Sequence, residues 1–291
     1  MNKYNSKAIF HLPGIFIFSK FYQEFLKLYI EHRHLFMDNF EIGSIYGAPY
    51  PCIWNGGRYM DNAAHKPVLD IIRDMMIQAN IPVRLTLTNC LVEETHLNDT
   101  YSNILVSTFH SDKNEILCNR DILETYLRDK YPKYKYISST TKRLTDLEAV
   151  NTECEKDYTL VVLDYTRNKD FDFLKQLKHP EKIELLCNAV CQPNCVRRSQ
   201  HYEAISKATL THDPGYLFQC NYCDLSFGGA MKHPHFISKD DINTYLDLGI
   251  QHFKLEGRTT HILDLIDILV YYLVKPESQE EVRFHLQRIF F

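Results

Sequence analysis

The residues best suited to chemistry are five cysteines, Cys187, Cys191, Cys195, Cys220 and Cys223, which fall within thirty-seven positions while the other four of the nine stand singly. Cys191-Gln-Pro-Asn-Cys195 and Cys220-Asn-Tyr-Cys223 are two short-spaced thiol pairs, and the twenty-four residues between them let both converge on one centre. Thiolates are soft ligands that suit zinc or an iron-sulfur cluster. Pro193-Asn194 favours a tight turn that brings the Cys191 and Cys195 sulfurs to one side. We therefore read Cys191, Cys195, Cys220 and Cys223 as a four-thiolate metal site, and keep Cys187, embedded in an apolar run, as a reserve ligand. Arg197 and Arg198 follow directly, and their charge suits a cluster of net negative charge or a bound anion. His201, in the same run, is a candidate to support the metal site from behind, against the plainer reading of a structural histidine.

Elements that could position these groups alternate along the chain. Short β-branched or aromatic runs at residues 41–46, 83–87, 115–118, 135–138, 158–163, 183–187 and 252–255 have the length of buried parallel strands. Residues 68–77, 121–127, 147–154 and 262–273 carry apolar side chains three and four apart and predict helices. Alternating strands and helices imply an α/β, TIM-barrel-like fold, incomplete or distorted because only seven strands are legible, with an open doubly wound sheet as the competitor. Residues 15–36 read as an amphipathic N-terminal helix before the first strand, plugging or flanking the barrel, and residues 279–291 as a C-terminal helix that packs back or dimerises. No linker or repeat divides the chain, so we expect one domain over residues 1–291. Residues 188–236 form a cysteine-bearing insertion after the sixth legible strand.

The bulk numbers narrow the function classes. With 291 residues, 45% of them hydrophobic and 24% charged, the composition is that of an ordinary globular protein. A net charge of −4 gives no footprint for general nucleic-acid binding, and there is neither a membrane-spanning run nor a secretory leader, so a cytoplasmic location is expected. In a reducing compartment nine cysteines imply metal binding or buried thiols rather than disulfides.

In a parallel barrel, functional groups collect where strands end. The first legible strand ends at Tyr46 and is followed by Trp54-Asn-Gly-Gly-Arg58, a loop that could stack or clamp a planar or anionic group, or simply pack the tryptophan as a lid. The next runs Arg84-Leu-Thr86-Leu-Thr88-Asn89, with Arg84, Thr86 and Thr88 on one face; an inward Arg84 needs a carboxylate, for which Asp164 and Glu256 are candidates. The last gives Lys254-Leu-Glu256-Gly-Arg258, three alternating charges that form a ring at the mouth as site or mutual salt bridge. We take Arg84, Lys254, Glu256 and Arg258 as catalytic candidates and Tyr46, Trp54, Arg58 and Asn89 as substrate-binding candidates.

At these residues the chain resembles the U32 peptidase-like proteins. Phe236-Ile-Ser-Lys-Asp-Asp-Ile242, Tyr245, Gly249-Ile250 and Phe253-Lys-Leu-Glu-Gly-Arg258 are similar to that family's late signature, and Cys191 and Cys195 match its Cys-x3-Cys region. The resemblance is strongest over residues 183–258. It implies a barrel fold, a four-cysteine [4Fe-4S] cluster, and oxygen-independent hydroxylation of an RNA base or an aromatic small molecule, with an electron donor or partner protein. Residues 188–195 lack the glycine-rich surroundings of the peptidase-type fingerprint, which argues against proteolysis. An early-chain ligand has only Cys52 as a counterpart, and Cys220 and Cys223 replace it in our reading. The other class of function is a zinc-stabilised binding scaffold, for which the spacings are equally suited. A cysteine-dependent hydrolase using His201 ranks below both. Cys187-x3-Cys191-x3-Cys195 has the wrong second spacing for a three-cysteine loop that cleaves S-adenosylmethionine.

Overall fold

Eight short strands close on themselves in chain order, all parallel. They are β1 (Ala8–Pro13), β2 (Phe40–Gly47), β3 (Val83–Leu87), β4 (Glu115–Cys118), β5 (Lys135–Ser138), β6 (Leu160–Val162), β7 (Ile183–Leu186) and β8 (His252–Lys254). This computed structural model describes residues 7–218, 220 and 224–290. The barrel is complete rather than open or seven-stranded. The strand absent from the sequence reading is β1, which pairs with β2 on one side and β8 on the other. Its run Ala-Ile-Phe-His-Leu-Pro is short and mixed, with His11 in the middle and Pro13 at its end, so it shows no clear strand alternation.

Helix α1 (Ser19–Glu31) accordingly starts four residues later than expected and lies between β1 and β2, not before the first strand. Gly14 makes the turn into it with φ +88°, where a Cβ would sit 2.6 Å from the Phe18 ring. The outer layer continues with α2 (Lys66–Ala79), α3 (Thr100–Thr108), α4 (Asp121–Lys130), α5 (Leu147–Glu155) and α6 (Phe171–Leu174). Asp99, Asp146 and Asp170 cap α3, α5 and α6 by accepting from Ser102 N, Ala149 N and Phe173 N. The long β7–β8 connection carries α7 (Arg198–Thr211), α8 (Phe227–Met231) and α9 (Ile242–Asp247). After β8 come α10 (Ile262–Leu273) and α11 (Gln279–Gln287); Phe290 stacks on Phe21 of α1 at 6.2 Å, so the C-terminal segment packs back on the domain.

The strands' outer faces and the helices share one large apolar core. Inside, the barrel is divided. On the β4–β6 side Leu117, Ile137, Leu160 and Val162 form a small apolar cluster. On the other side His11, Ser44, Arg84, Glu115, Glu184 and Lys254 bury polar and charged groups. That polar half is the floor of the site described next.

Candidate functional site

The floor is built on Arg84, which is fully buried. Its Nε donates to Glu115 Oε2 at 2.7 Å, Nη1 to Glu184 Oε2 at 2.6 Å and Nη2 to His11 Nδ1 at 2.9 Å. An arginine only donates, so His11 Nδ1 accepts and its proton sits on Nε2, which faces His252 Nδ1 at 3.0 Å and Glu184 Oε2 at 3.3 Å. Burial, and then the Arg84 charge, holds His11 well below the usual histidine range. Burial likewise pushes His252 down to about 4. Both imidazoles are neutral at pH 7. Arg84 therefore does not serve as a catalytic group at the mouth: it neutralises Glu115 and Glu184 below it. Asp164 and Glu256 are not its partners, because Asp164 ion-pairs with Arg198 and Glu256 with Arg58.

Above this floor a cavity opens at the strands' C-terminal ends, lined among others by Tyr46, Arg58, Thr88, Thr141, Tyr165, Cys191, Tyr202, Lys254, Glu256 and Arg258. Lys254 Nζ lies 4.4 Å from the centre of the Tyr46 ring and 3.8 Å from Glu184 Oε1. Burial pushes the Lys254 pKa down to about 7, with Arg84 and Arg258 acting in the same direction against Glu184. The Tyr46 hydroxyl donates to Leu255 O at 2.6 Å, fixing the ring beneath the cations. Arg258 donates to Thr86 Oγ1 at 2.8 Å, Asn55 Oδ1 at 3.2 Å and Gly56 O at 3.2 Å. Burial pushes Arg258 down to about 10, and the neighbouring Arg58 adds to that. The loop carrying Arg58 is pressed onto the end of β3, since a Cβ on Gly56 would fall 2.4 Å from Thr88 O.

Cys191 is at the rim. Arg58 lies beside it and ion-pairs with Glu256; burial works against the Arg58 charge, yet Cys191 and Tyr202 nearby hold its pKa above the ordinary value. Two histidines secure the backbone just before Cys191: His235 Nε2 donates to Ala189 O at 3.1 Å and His233 Nε2 to Val190 O at 3.2 Å, with the rings stacked at 5.0 Å. Asn194, at φ 56°, makes the turn between Cys191 and Cys195, and both cysteines are half-buried. Phe218 lies against His201 at 5.0 Å and beneath Arg197 at 4.9 Å, which returns the chain just before Cys220 to the first turn of α7, the turn that follows Cys195. Cys223 lies outside the described residues. Among the described residues no three His, Cys, Asp or Glu side chains gather closely enough to hold a metal ion, so Cys191, Cys195 and Cys220 do not by themselves close a ligand set. The chemistry of the donors nevertheless fits a thiolate-held group: half-buried sulfurs on adjoining segments, with Arg58 and Arg197 nearby to offset negative charge.

Other expected site residues sit elsewhere. Cys187 faces away from the cavity, because its neighbour Leu186 lines it; the thiol is fully buried, burial raises its pKa, and it is no reserve ligand. Cys52 is buried beside Ser102 of α3, whose hydroxyl donates to it at 3.5 Å. Trp54 is a packing residue rather than a binding one, fully buried with Nε1 donating to His96 O at 2.9 Å and its edge on Tyr126. Asn89 is a strut and not a substrate contact: its amide donates to Ile53 O at 2.9 Å and Ser206 O at 3.0 Å, tying α7 over the mouth. His201 does lie near Arg58 and Cys191, and burial lowers its pKa. The sequence reading missed Tyr165, Tyr202 and the hydroxyls of Ser139, Thr140 and Thr141. Those on β5 and β6 follow their strands directly, so the rule that found Tyr46 would have found them.

No protein-family model matches the chain. An uncharacterized protease of Methanocaldococcus jannaschii is 26% identical over 111 residues, spanning 36% of this chain and 33% of that protein. The chain thus matches about a third of that relative's length. The solved structure of the U32 peptidase Mk0906 superposes with a TM-score of 0.54 at 11% identity, covering 87% of this chain and 93% of the other. At that identity the superposition speaks for the barrel fold. That solved structure bears the name of the family that residues 183–258 resemble.

Proposed function

We propose that this U32 peptidase-like barrel is a redox enzyme in which Cys191, Cys195, Cys220 and Cys223 hold a [4Fe-4S] cluster beside the mouth, where an RNA base or an aromatic small molecule is modified without oxygen. The observation that carries the proposal is the placement of Cys191 among the residues lining a cation-rich cavity, with the Arg58 charge beside it. When bound, such a cluster supplies one-electron transfer.

The protein's own groups supply the rest. Arg58, fixed by Glu256, offsets thiolate charge at Cys191. Lys254, half-protonated near neutral pH, can give or take a proton at Nζ toward whatever occupies the cavity. Tyr46, Tyr165 and Tyr202 offer aromatic surfaces, and α7, tied down by Asn89 and by the Arg198–Asp164 pair, keeps water from one side of the mouth.

Purification without oxygen, followed by iron, sulfide and zinc analysis with a visible spectrum, tests the proposal. About four irons and four sulfides with a broad band near ~400 nm, lost in Cys191→Ala and Cys195→Ala, are expected. One zinc and no sulfide in a colourless protein would overturn it and leave a structural thiolate site. The two relatives are described as a protease and a peptidase, so cleavage of an unfolded protein by the same preparation, abolished in Cys191→Ala, would favour proteolysis instead.

A further inference from the structure

The cavity above Tyr46 carries more positive charge than its carboxylates offset. Arg84 is shared by Glu115 and Glu184, and Arg58 is taken by Glu256. Lys254 sets its charge against Glu184, whose Oε1, at 3.8 Å, is too far for a hydrogen bond and accepts none, and more weakly against Glu115. Arg258 has no such relief: its hydrogen bonds run to Thr86, Asn55 and Gly56, all neutral, and among the described residues no carboxylate ion-pairs with it. Lys254 and Arg258 both lie over the single Tyr46 ring, 4.4 and 5.8 Å from its centre. Two cations facing one small space repel each other, and the charge of Arg258, half-buried and without an ionic partner among the described residues, is offset when a ligand neutralises it.

We infer that the mouth is an oxyanion-binding subsite, in which a carboxylate or phosphate group of the substrate is held between Arg258 and Lys254. This names a substrate class for the same cavity that the proposed redox reading uses, and it does not depend on the cluster. Gly57, at φ +73°, takes the left-handed conformation that brings this loop alongside Arg258, whose Nη2 would lie in ordinary contact, 3.4 Å, with a Cβ there. The lining also includes Thr88, Ser139 and Thr141, neutral residues that bring no competing negative charge; the Ser139 and Thr141 hydroxyls are bonded to each other at 2.9 Å. The groups facing Lys254 are Tyr46 on β2, Arg84 on β3, Glu115 on β4, Glu184 on β7 and Arg258 beyond β8. An anion placed beside it therefore favours the ammonium form, and binding takes up a proton above about pH 7, where the empty site is losing one.

Titration calorimetry of the full chain with inorganic phosphate and, separately, with malonate, at ionic strength held constant by chloride, tests the inference. Saturable binding of either probe is expected, and which one binds identifies a phosphate or a carboxylate substrate. Binding should weaken at least about tenfold in Arg258→Gln and in Lys254→Met, and stay unchanged in the surface variant Arg283→Gln. Repeating the titration near pH 8 in buffers of different ionisation enthalpy should show proton uptake in the native chain and none in Lys254→Met. Arg258 also bridges backbone and side chains, so Lys254→Met, which removes no hydrogen bond, keeps the test decisive if Arg258→Gln does not fold. No binding by the native chain, or equal binding by Lys254→Met, would overturn the subsite. Iron analysis of the same preparation reports separately on the cluster.

Discussion

Asn188 and Glu256 bridge the ends of β7 and β8 by two bonds: the Asn188 side chain accepts from Glu256 N at 2.7 Å and donates to Glu256 O at 2.9 Å. One amide side chain thus imitates a strand-to-strand backbone pair just where the ladder has stopped, and it fixes both Glu256 and the segment leading to Cys191. Asn188→Ala leaves a buried N–H and C=O unmatched. We expect a loss of about 2 kcal/mol in urea unfolding, together with weaker retention of any bound iron. A loss below about 0.5 kcal/mol would mean that water replaces the bridge.

Arg84 is the most heavily committed side chain of the barrel interior, and its removal strands two carboxylates. Arg84→Met is expected to cost about 3–5 kcal/mol, seen as a lower urea midpoint with the slope unchanged. If Arg84→Met unfolded within about 1 kcal/mol of the native chain, the Glu115 and Glu184 charges would have to be relieved by protonation.

The acid limb of stability should carry the signature of buried imidazoles. His252 is pushed from 6.5 down to about 4 and His11 is held lower than its ordinary value, so the unfolded chain binds more protons than the folded one below pH 6.5. The stabilisation from keeping them neutral is present above 6.5 and is lost as pH falls toward 4. His252→Gln should flatten the melting-temperature profile across that window. A profile identical to the native one would show that His252 does not titrate with folding.

The cysteines separate by face. Cys187→Ala changes a thiol in the outer core and should leave iron and sulfide content as in the native chain, whereas Cys191→Ala and Cys195→Ala should lose both. Loss of iron from a folded Cys187→Ala protein would contradict the assignment of its side chain to the far side of β7.

Lys254 should react as an unusually acidic lysine. Trace acetylation followed across pH and read by peptide mass should show its reactivity rising with a midpoint near 7, against about 10.5 for an ordinary lysine. A midpoint near the ordinary value would remove the burial argument for a neutral amine.

Much of this was legible in the sequence. Residues 83–87, 115–118, 135–138 and 262–273 read as the elements they form, because each combines a single hydrophobic period with a clear polar boundary. β1 was passed over as a short mixed stretch near the N-terminus, six residues with a histidine in the middle and a proline at the end. The strand-end rule located Tyr46, Arg58, Lys254, Glu256 and Arg258, all of which line one cavity. It failed for Arg84 because alternation gives the face of a strand and not the depth: Arg84 lies one inward position below Thr86, which places it in the floor. It failed for Trp54 and Asn89 because nothing local distinguishes a loop residue that opens onto the cavity from one that pins the loop from beneath. The carboxylates that pair with Arg84 were invisible for the same reason, since they come from strands 31 and 100 residues away.

The ring order of the strands has a consequence for synthesis on the ribosome. β8 is the piece that joins β7 to β1, and it brings Lys254, Glu256 and Arg258 to a mouth whose other wall begins at Tyr46. A nascent chain can therefore complete seven of its eight strands and still have two open edges and no cavity. Occupation of the mouth by any ligand then reports that the ring has closed, which makes ligand-dependent protease resistance a direct clock for the last step of folding.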